Sequence, residues 1–338
     1  MFIKKETYII AEAGINHKGS YKIAKNFIKQ AKKCGADAIK FQSFIAENVV
    51  TSTLALAKYQ KENINKKIKM IEMIRKYELS QSDQMALLKY SKKLEIDFIS
   101  SAFDLESLNF LITKLKLKIL KIPSGEITNL PYLIKAAKFK KKVILSTGMS
   151  NQKEIYEAIK ILTSNGLKKQ NITLLHCNTS YPTPMKDVNL RVIKELEKKF
   201  KIKVGYSDHT LGAEVAIASV GIGAKVIEKH FTLNKKWEGP DQSSSLNPQE
   251  FTYMVKSIRN IDIAQGTYKK KMTNSESKNI IFARKSIVAS QNIKVGERFS
   301  LHNIVVKRPG NGISPMQWFK VLKLKAKKNF KKDDLIKI

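Results

Sequence analysis

At 338 residues, with 43% hydrophobic content and a mean hydropathy of −0.28, the chain is long enough for one large barrel, alone or with a small appendage. No stretch approaches the roughly 18 apolar residues of a membrane span. The net charge of +34 invites a polyanion partner, yet only six of the 63 basic residues are arginine and the lysines run along the whole chain. Readers of phosphates and bases favour the arginine fork, so diffuse lysine reads as solvated helix faces, with no nucleic-acid and no membrane partner expected. Lys4, Lys5 and Glu6 precede only a short apolar run without a cleavage site, which places the chain in the cytoplasm. Cys34 and Cys177 are too few for a disulfide framework and read as reduced thiols.

In chain order, strand-like runs fall at 8–12, 38–42, 97–101, 119–123, 142–146, 172–176, 203–207 and 226–230. Periodic helical segments at 20–34, 81–94, 105–115, 129–140, 151–165, 188–200, 211–223 and 247–265 alternate with them. This alternation predicts parallel strands. Eight units over residues 1–266 match an α/β (β/α)8 TIM barrel. An open doubly wound sheet is disfavoured because no Gly-rich phosphate turn follows any strand. Residues 267–283 are polar and lysine-rich, like a linker. Residues 284–338 carry short β-like runs at 286–289, 298–300 and 303–307 between glycines and prolines, predicting a small β-rich domain.

A TIM barrel keeps its chemistry at the carboxyl ends of its strands. Every predicted strand delivers polar residues there: Glu12, Asn16 and His17; Lys40 and Gln42; Ser100 and Ser101; Lys121, Ser124 and Glu126; Ser146 and Thr147; His176, Asn178, Thr179 and Tyr181; Ser207, Asp208 and His209; Glu228 and His230. His209 and His230 lie one strand-helix unit apart, so they occupy adjacent strand ends and can approach one metal ion. Lys40 and Lys121 sit inside apolar strands, where a lysine needs an anion: a Glu12 or Glu126 carboxylate, or a bound substrate. With Ser124, Ser146 and Ser207 as hydroxyl donors, they could cradle a phosphate and a carboxylate on one small molecule, as in phosphoenolpyruvate.

The segments that carry this chemistry, Glu12–Gly19, Lys40–Gln42, Lys121–Glu126, Ser146–Met149, His176–Pro184, Gly205–Thr210, Glu228–Thr232, Gly239–Asp241 and Lys307–Gly312, occur in an order that resembles the N-acetylneuraminate (sialic acid) synthase family. The Gly-Pro-Asp and Arg-Pro-Gly-Asn-Gly segments resemble its neuraminate and legionaminate branches more than its pseudaminate branch. The resemblance implies a barrel followed by an antifreeze-like (SAF, β-clip) domain, in a swapped homodimer whose small domains cap the partner's barrel. It implies His209 and His230 as ligands of a divalent metal, Mn preferred and Mg or Co possible. It also implies Lys40, Lys121, Ser124, Ser146 and Ser207, with Ser101, as contacts to phosphoenolpyruvate. Glu12, Gln42, Glu126, Asp241 and Tyr181, the last in a loop that also carries Asn178 and Thr179, would orient the sugar and the metal-bound water. Arg308 would touch the acetamido group from the other subunit. Thr179, Ser180 and Lys323 depart from residues common in relatives.

The reaction so implied is the metal-assisted condensation of phosphoenolpyruvate with N-acetylmannosamine or 2,4-diacetamido-2,4,6-trideoxymannose and water. It gives N-acetylneuraminate or legionaminate plus phosphate, with Glu12 as acid/base partner and Glu126 as proton carrier or sugar acceptor. Pseudaminate-type or other keto-deoxy sugar acid synthases are the alternative.

Overall fold

The computed structural model describes residues 6–56, 60 and 68–338; Lys4 and Lys5 of the N-terminal reading lie outside them. The chain divides into two compact units, Met1–Gly266 and Thr267–Ile338. In the first, eight strands close into a barrel in chain order. They are β1 (Tyr8–Gly14), β2 (Ala38–Ser43), β3 (Asp97–Ala102), β4 (Ile119–Ile122), β5 (Lys142–Ser146), β6 (Ile172–Cys177), β7 (Lys203–Asp208) and β8 (Val226–His230). Every neighbouring pair is parallel, including β1 with β8, which closes the ring.

The helices are shorter than the sequence periodicity because its first residues are caps. Ser20, Asn129, Asn151 and Asn247 each turn a side-chain oxygen onto a backbone N–H of the first turn, ahead of helices Tyr21–Lys33, Leu130–Ala137, Gln152–Ser164 and Pro248–Ala264. The helix expected from 188 starts only at Val192, after Asn189 at φ 50°, and the one expected from 211 starts at Glu214, after Gly212 at φ 72°. Two short helices, Ala46–Val49 and Met70–Arg75, were not legible as periodic segments.

Side chains alternate across each strand, and both faces of this sheet are buried, which is why the strands read as apolar runs. Outward residues such as Ile9, Ile39, Leu120, Val143 and Val204 pack under the helices. Inward residues Ile10, Ala38, Ile99, Ile119, Ile144, Leu175 and Val226 form a separate apolar floor. On β7 the floor position is Gly205, where a Cβ would stand 2.3 Å from the Val226 carbonyl oxygen and 2.7 Å from Leu175. A third cluster, with Ile15, Phe44, Met73 and Tyr77 at its centre, lies beside the β2 end of the barrel.

In the second unit β9 (Ser286–Ala289) pairs antiparallel with β10 (Ile304–Lys307) over a core that includes Ile287, Phe299, Val321 and Phe330. The β-like run at 298–300 is no strand: Phe299 is buried in that core, and Arg298 makes only an isolated bridge with Lys325. The linker-like stretch carries two helical turns, Asn274–Ser277 and Ile280–Ala283, the first held by a Thr273/Glu276 capping box. Lys323 is not among the residues at positive φ in the described chain, so this turn accepts a lysine without strain.

Candidate active site

Two residues beyond each floor position, the same inward face turns polar. Ile10 leads to Glu12, Ala38 to Lys40, Ile99 to Ser101, Ile119 to Lys121, Ile144 to Ser146, Leu175 to Cys177, Gly205 to Ser207 and Val226 to Glu228. All of these polar-layer residues line one cavity of about 420 Å³. One further pleat up come Gln42, Thr179, His209 and His230, which also line it, joined by Ser124, Tyr181 and Asp241 from the loops.

The two lysines are paired inside the barrel. Lys40 Nζ lies 2.9 Å from Glu12 and 3.7 Å from Glu228, while Lys121 Nζ lies 3.4 Å from Glu228. Glu228 Oε1 also accepts from Ser207 Oγ at 2.9 Å. Glu228 thus takes the place the sequence suggested for Glu126. Burial pushes the Glu12 carboxyl up to about 7, partly offset by Lys40. Burial acts on Glu228 too, but Lys121 and Lys40 outweigh it and hold that carboxyl below the usual range. Lys40, beside both carboxylates, is raised despite its burial, whereas burial lowers Lys121.

His209 and His230 have ring centroids 5.4 Å apart, and Tyr181 lies over both, 4.2 and 5.6 Å away. His209 Nδ1 faces the Asn178 carbonyl oxygen, which can only accept, so Nδ1 carries the proton and Nε2 keeps its lone pair. His230 Nδ1 is buried without a hydrogen-bond partner. Burial lowers His209 to about 4 and His230 well below the ordinary histidine value, keeping both neutral. Two neutral imidazoles with open lone pairs suit a divalent transition ion whose remaining ligands are oxygens. Among the described residues no group of three or more His, Cys, Asp or Glu side chains forms a ligand set, so those oxygens would come from substrate and water.

Other strand-end residues do not reach the cavity. His17 is buried in the loop after β1, its Nδ1 accepting from the Gly19 N–H at 3.1 Å. His176 Nε2 meets the Val188 carbonyl at 2.8 Å. Ser100 bonds to Ser43, Thr147 to the Leu175 carbonyl, and Asp208 to Lys229. Asn178 serves the site through its backbone, its side chain accepting from Ser180 N–H. Glu126 is half-buried outside the cavity lining, held by Asn129 Nδ2 at 2.6 Å. Arg308 is exposed on the second unit, at the end of β10. Cys177, read only as an inert thiol, is free and buried, but lines the cavity 3.3 Å from Ser124 Oγ.

A barrel with this mouth matches the NeuB family model over residues 27–270, and residues 284–338 match the SAF domain. The chain belongs to the NeuB family. An N,N′-diacetyllegionaminic acid synthase of Campylobacter jejuni is 50% identical over 98% of this chain and 99% of its own. The family member with that name from Legionella pneumophila is 42% identical over 92% of this chain and 87% of its own. Among solved structures, the N-acetylneuraminic acid (sialic acid) synthetase of Leptospira borgpetersenii, crystallised with citrate, aligns at a TM-score of 0.71 and 32% identity. That alignment covers 82% of this NeuB family chain and 91% of the other. No helix among the described residues is long and apolar enough to cross a membrane.

Proposed function

We propose that this NeuB family enzyme condenses phosphoenolpyruvate with an N-acetylated amino-sugar aldehyde and water, forming a nonulosonic acid and phosphate. The observation that carries the reading is the polar layer: two buried lysines and a pair of neutral histidines around one cavity on a closed apolar floor. Lys40 and Lys121 would hold the phosphate and carboxylate of phosphoenolpyruvate, exchanging their carboxylate partners for the substrate, with Ser101, Ser124, Ser146 and Ser207 as donors. His209 and His230 would hold a divalent ion, Mn favoured, which when bound polarises the acceptor aldehyde as a Lewis acid.

C3 of phosphoenolpyruvate forms the new bond to the aldehyde carbon. The C=O electron pair goes to the aldehyde oxygen, which becomes a hydroxyl with a proton from Glu12, and water adds at the cationic C2. Glu12, near neutrality in its pKa, takes the proton of that water. The C–O bond to phosphate then breaks, the oxygen leaving with the electron pair and the phosphate taking the proton of the C2 hydroxyl as C2 becomes a ketone. Gln42, Tyr181, Asp241 and Thr179, which line the cavity, would orient the sugar.

Of the two acceptors, the diacetamido-trideoxy sugar is favoured. The relatives at 50% and 42% identity are named for legionaminic acid. One cavity wall, with Ile15, Phe44, Val49, Met73, Ile74 and Phe103, is apolar and suits the methyl groups of a deoxy, twice-acetylated sugar better than the hydroxyls of N-acetylmannosamine. A homodimer in which Arg308 reaches the partner's sugar is part of the proposal and is supported by the SAF match. A cytoplasmic location is supported by two free, buried cysteines.

The test is phosphate release from phosphoenolpyruvate with Mn2+, run in parallel with the two sugars. Release that is faster with the diacetamido sugar and abolished by His230→Ala is the expected outcome. No release with either sugar from folded, Mn-loaded protein would overturn the reading.

A further inference from the structure

His209 and His230 stand at the ends of adjacent strands, and two imidazoles serve one ion only if both backbones are held at a fixed spacing. Directly behind them, on the outward face, is an ion pair sealed from solvent. Lys229 Nζ donates to Asp208 Oδ2 at 2.8 Å and to the Thr210 carbonyl at 2.6 Å, and both charged side chains are 0% exposed. Asp208 Oδ1 accepts in turn from the Thr210 N–H at 2.9 Å and from Thr210 Oγ1 at 2.8 Å. Asp208 precedes His209 and Thr210 follows it. Lys229, itself next to His230, therefore grips the chain on both sides of His209.

The placement is specific to these two strands. At the same level on β1 to β4 the outward residue is apolar and buried: Ala13, Phe41, Ala102 and Ile122. β7 and β8 carry the charged pair instead, in direct register, Asp208 opposite Lys229. One residue earlier the inner faces of the same strands are tied by the Ser207–Glu228 hydrogen bond, again in register. The two strand ends are thus clamped from both faces immediately below the histidines. A buried ion pair is a poor device for stability alone, since well-packed apolar residues often serve as well. What it adds is direction and distance.

We infer that Lys229 and Asp208 are positioning residues that set the spacing and orientation of His209 and His230 for a divalent ion. The inference rests on the proposed metal site and extends it outward to residues that never touch the substrate. It would act as the hydrogen-bonding partners of metal ligands generally do, where their loss weakens metal binding by about ten- to a hundredfold.

The experiment titrates the full-length protein with Mn2+, reading free Mn2+ by electron paramagnetic resonance, alongside thermal unfolding without metal. Lys229→Met leaves the Asp208 charge buried alone and lowers the thermal midpoint. Asp208→Leu with Lys229→Met removes both charges and regains most of it. In both folded variants the Mn2+ dissociation constant should rise by about ten- to a hundredfold. If Lys229→Met does not fold, the double variant decides. A double variant that regains the midpoint and binds Mn2+ like the wild type would make the pair a packing device and overturn the inference. Wild-type protein that binds no Mn2+ would instead remove the metal site itself, and the inference with it.

Discussion

The floor and the mouth of this barrel are one pleat apart on the same strands and are built to opposite rules. Ile10, Ile119 and Val226 fill the floor with branched apolar side chains, whereas Glu12, Lys121 and Glu228, two residues on, place unlike charges at a depth where water is excluded. The floor is satisfied by packing alone. The mouth is satisfied by its internal ion pairs and by hydroxyls such as Ser207, and those pairs, 2.9 to 3.7 Å long, are what an anionic substrate would replace. A site of this kind holds its ligand groups ready by neutralising them against each other.

That contrast breaks in different ways. The largest expected effect is at Lys121→Met. It leaves Glu228 with the Ser207 hydrogen bond and, of the two lysines, only Lys40 at 3.7 Å, and should cost about 3–5 kcal/mol of stability. It should also lower kcat/KM for phosphate release by about a hundredfold or more. Urea unfolding with kinetics on the folded fraction reads both, and wild-type kinetics would remove Lys121 from the substrate's reach. On the floor, Ile144→Ala should cost about 2–5 kcal/mol with kcat/KM of the folded enzyme unchanged. A large loss of turnover there would mean that floor and mouth are coupled.

His17 sharpens the comparison from outside the mouth. It is buried like the two cavity histidines, and its burial lowers it to about 4. Below the ordinary value of about 6.5 the unfolded chain takes up a proton that the fold refuses, so stability falls as pH drops from about 6.5 towards about 4. His17→Gln should spare the protein about 2–3 kcal/mol of the wild-type loss between pH 7 and pH 4.5, as followed by urea midpoints. Equal losses would show that His17 is protonated in the fold. The smallest effect is at a helix cap: Asn151→Ala removes two hydrogen bonds to Lys153 and Glu154 N–H and should cost about 1 kcal/mol, without altering kinetics.

Much of this was legible beforehand. Strand and helix alternation carried the barrel, because burial on both sheet faces writes each strand as an apolar run. Lys40 and Lys121 stood out because a lysine in such a run demands an anion. Glu228 was visible as a strand-end residue but not as the common partner of both lysines, and Cys177 was read as inert. Counting two residues on from Val226 and Leu175 would have found both. His17 and His176 were grouped with His209 and His230 because strand-end position was used without side-chain direction.

By itself, the sequence determined the order of the elements, the polar character of every strand end and the presence of lysines and histidines among the strand-end residues, because these follow from local periodicity and residue type. Only the tertiary structure decided which polar residue faces in. Closing the ring brings β1 beside β8, so that Glu12 and Glu228, more than two hundred positions apart in the chain, face the same lysine. Direction across a strand and partnership across a closed barrel are properties of the register, and register is set when the whole ring of strands packs at once.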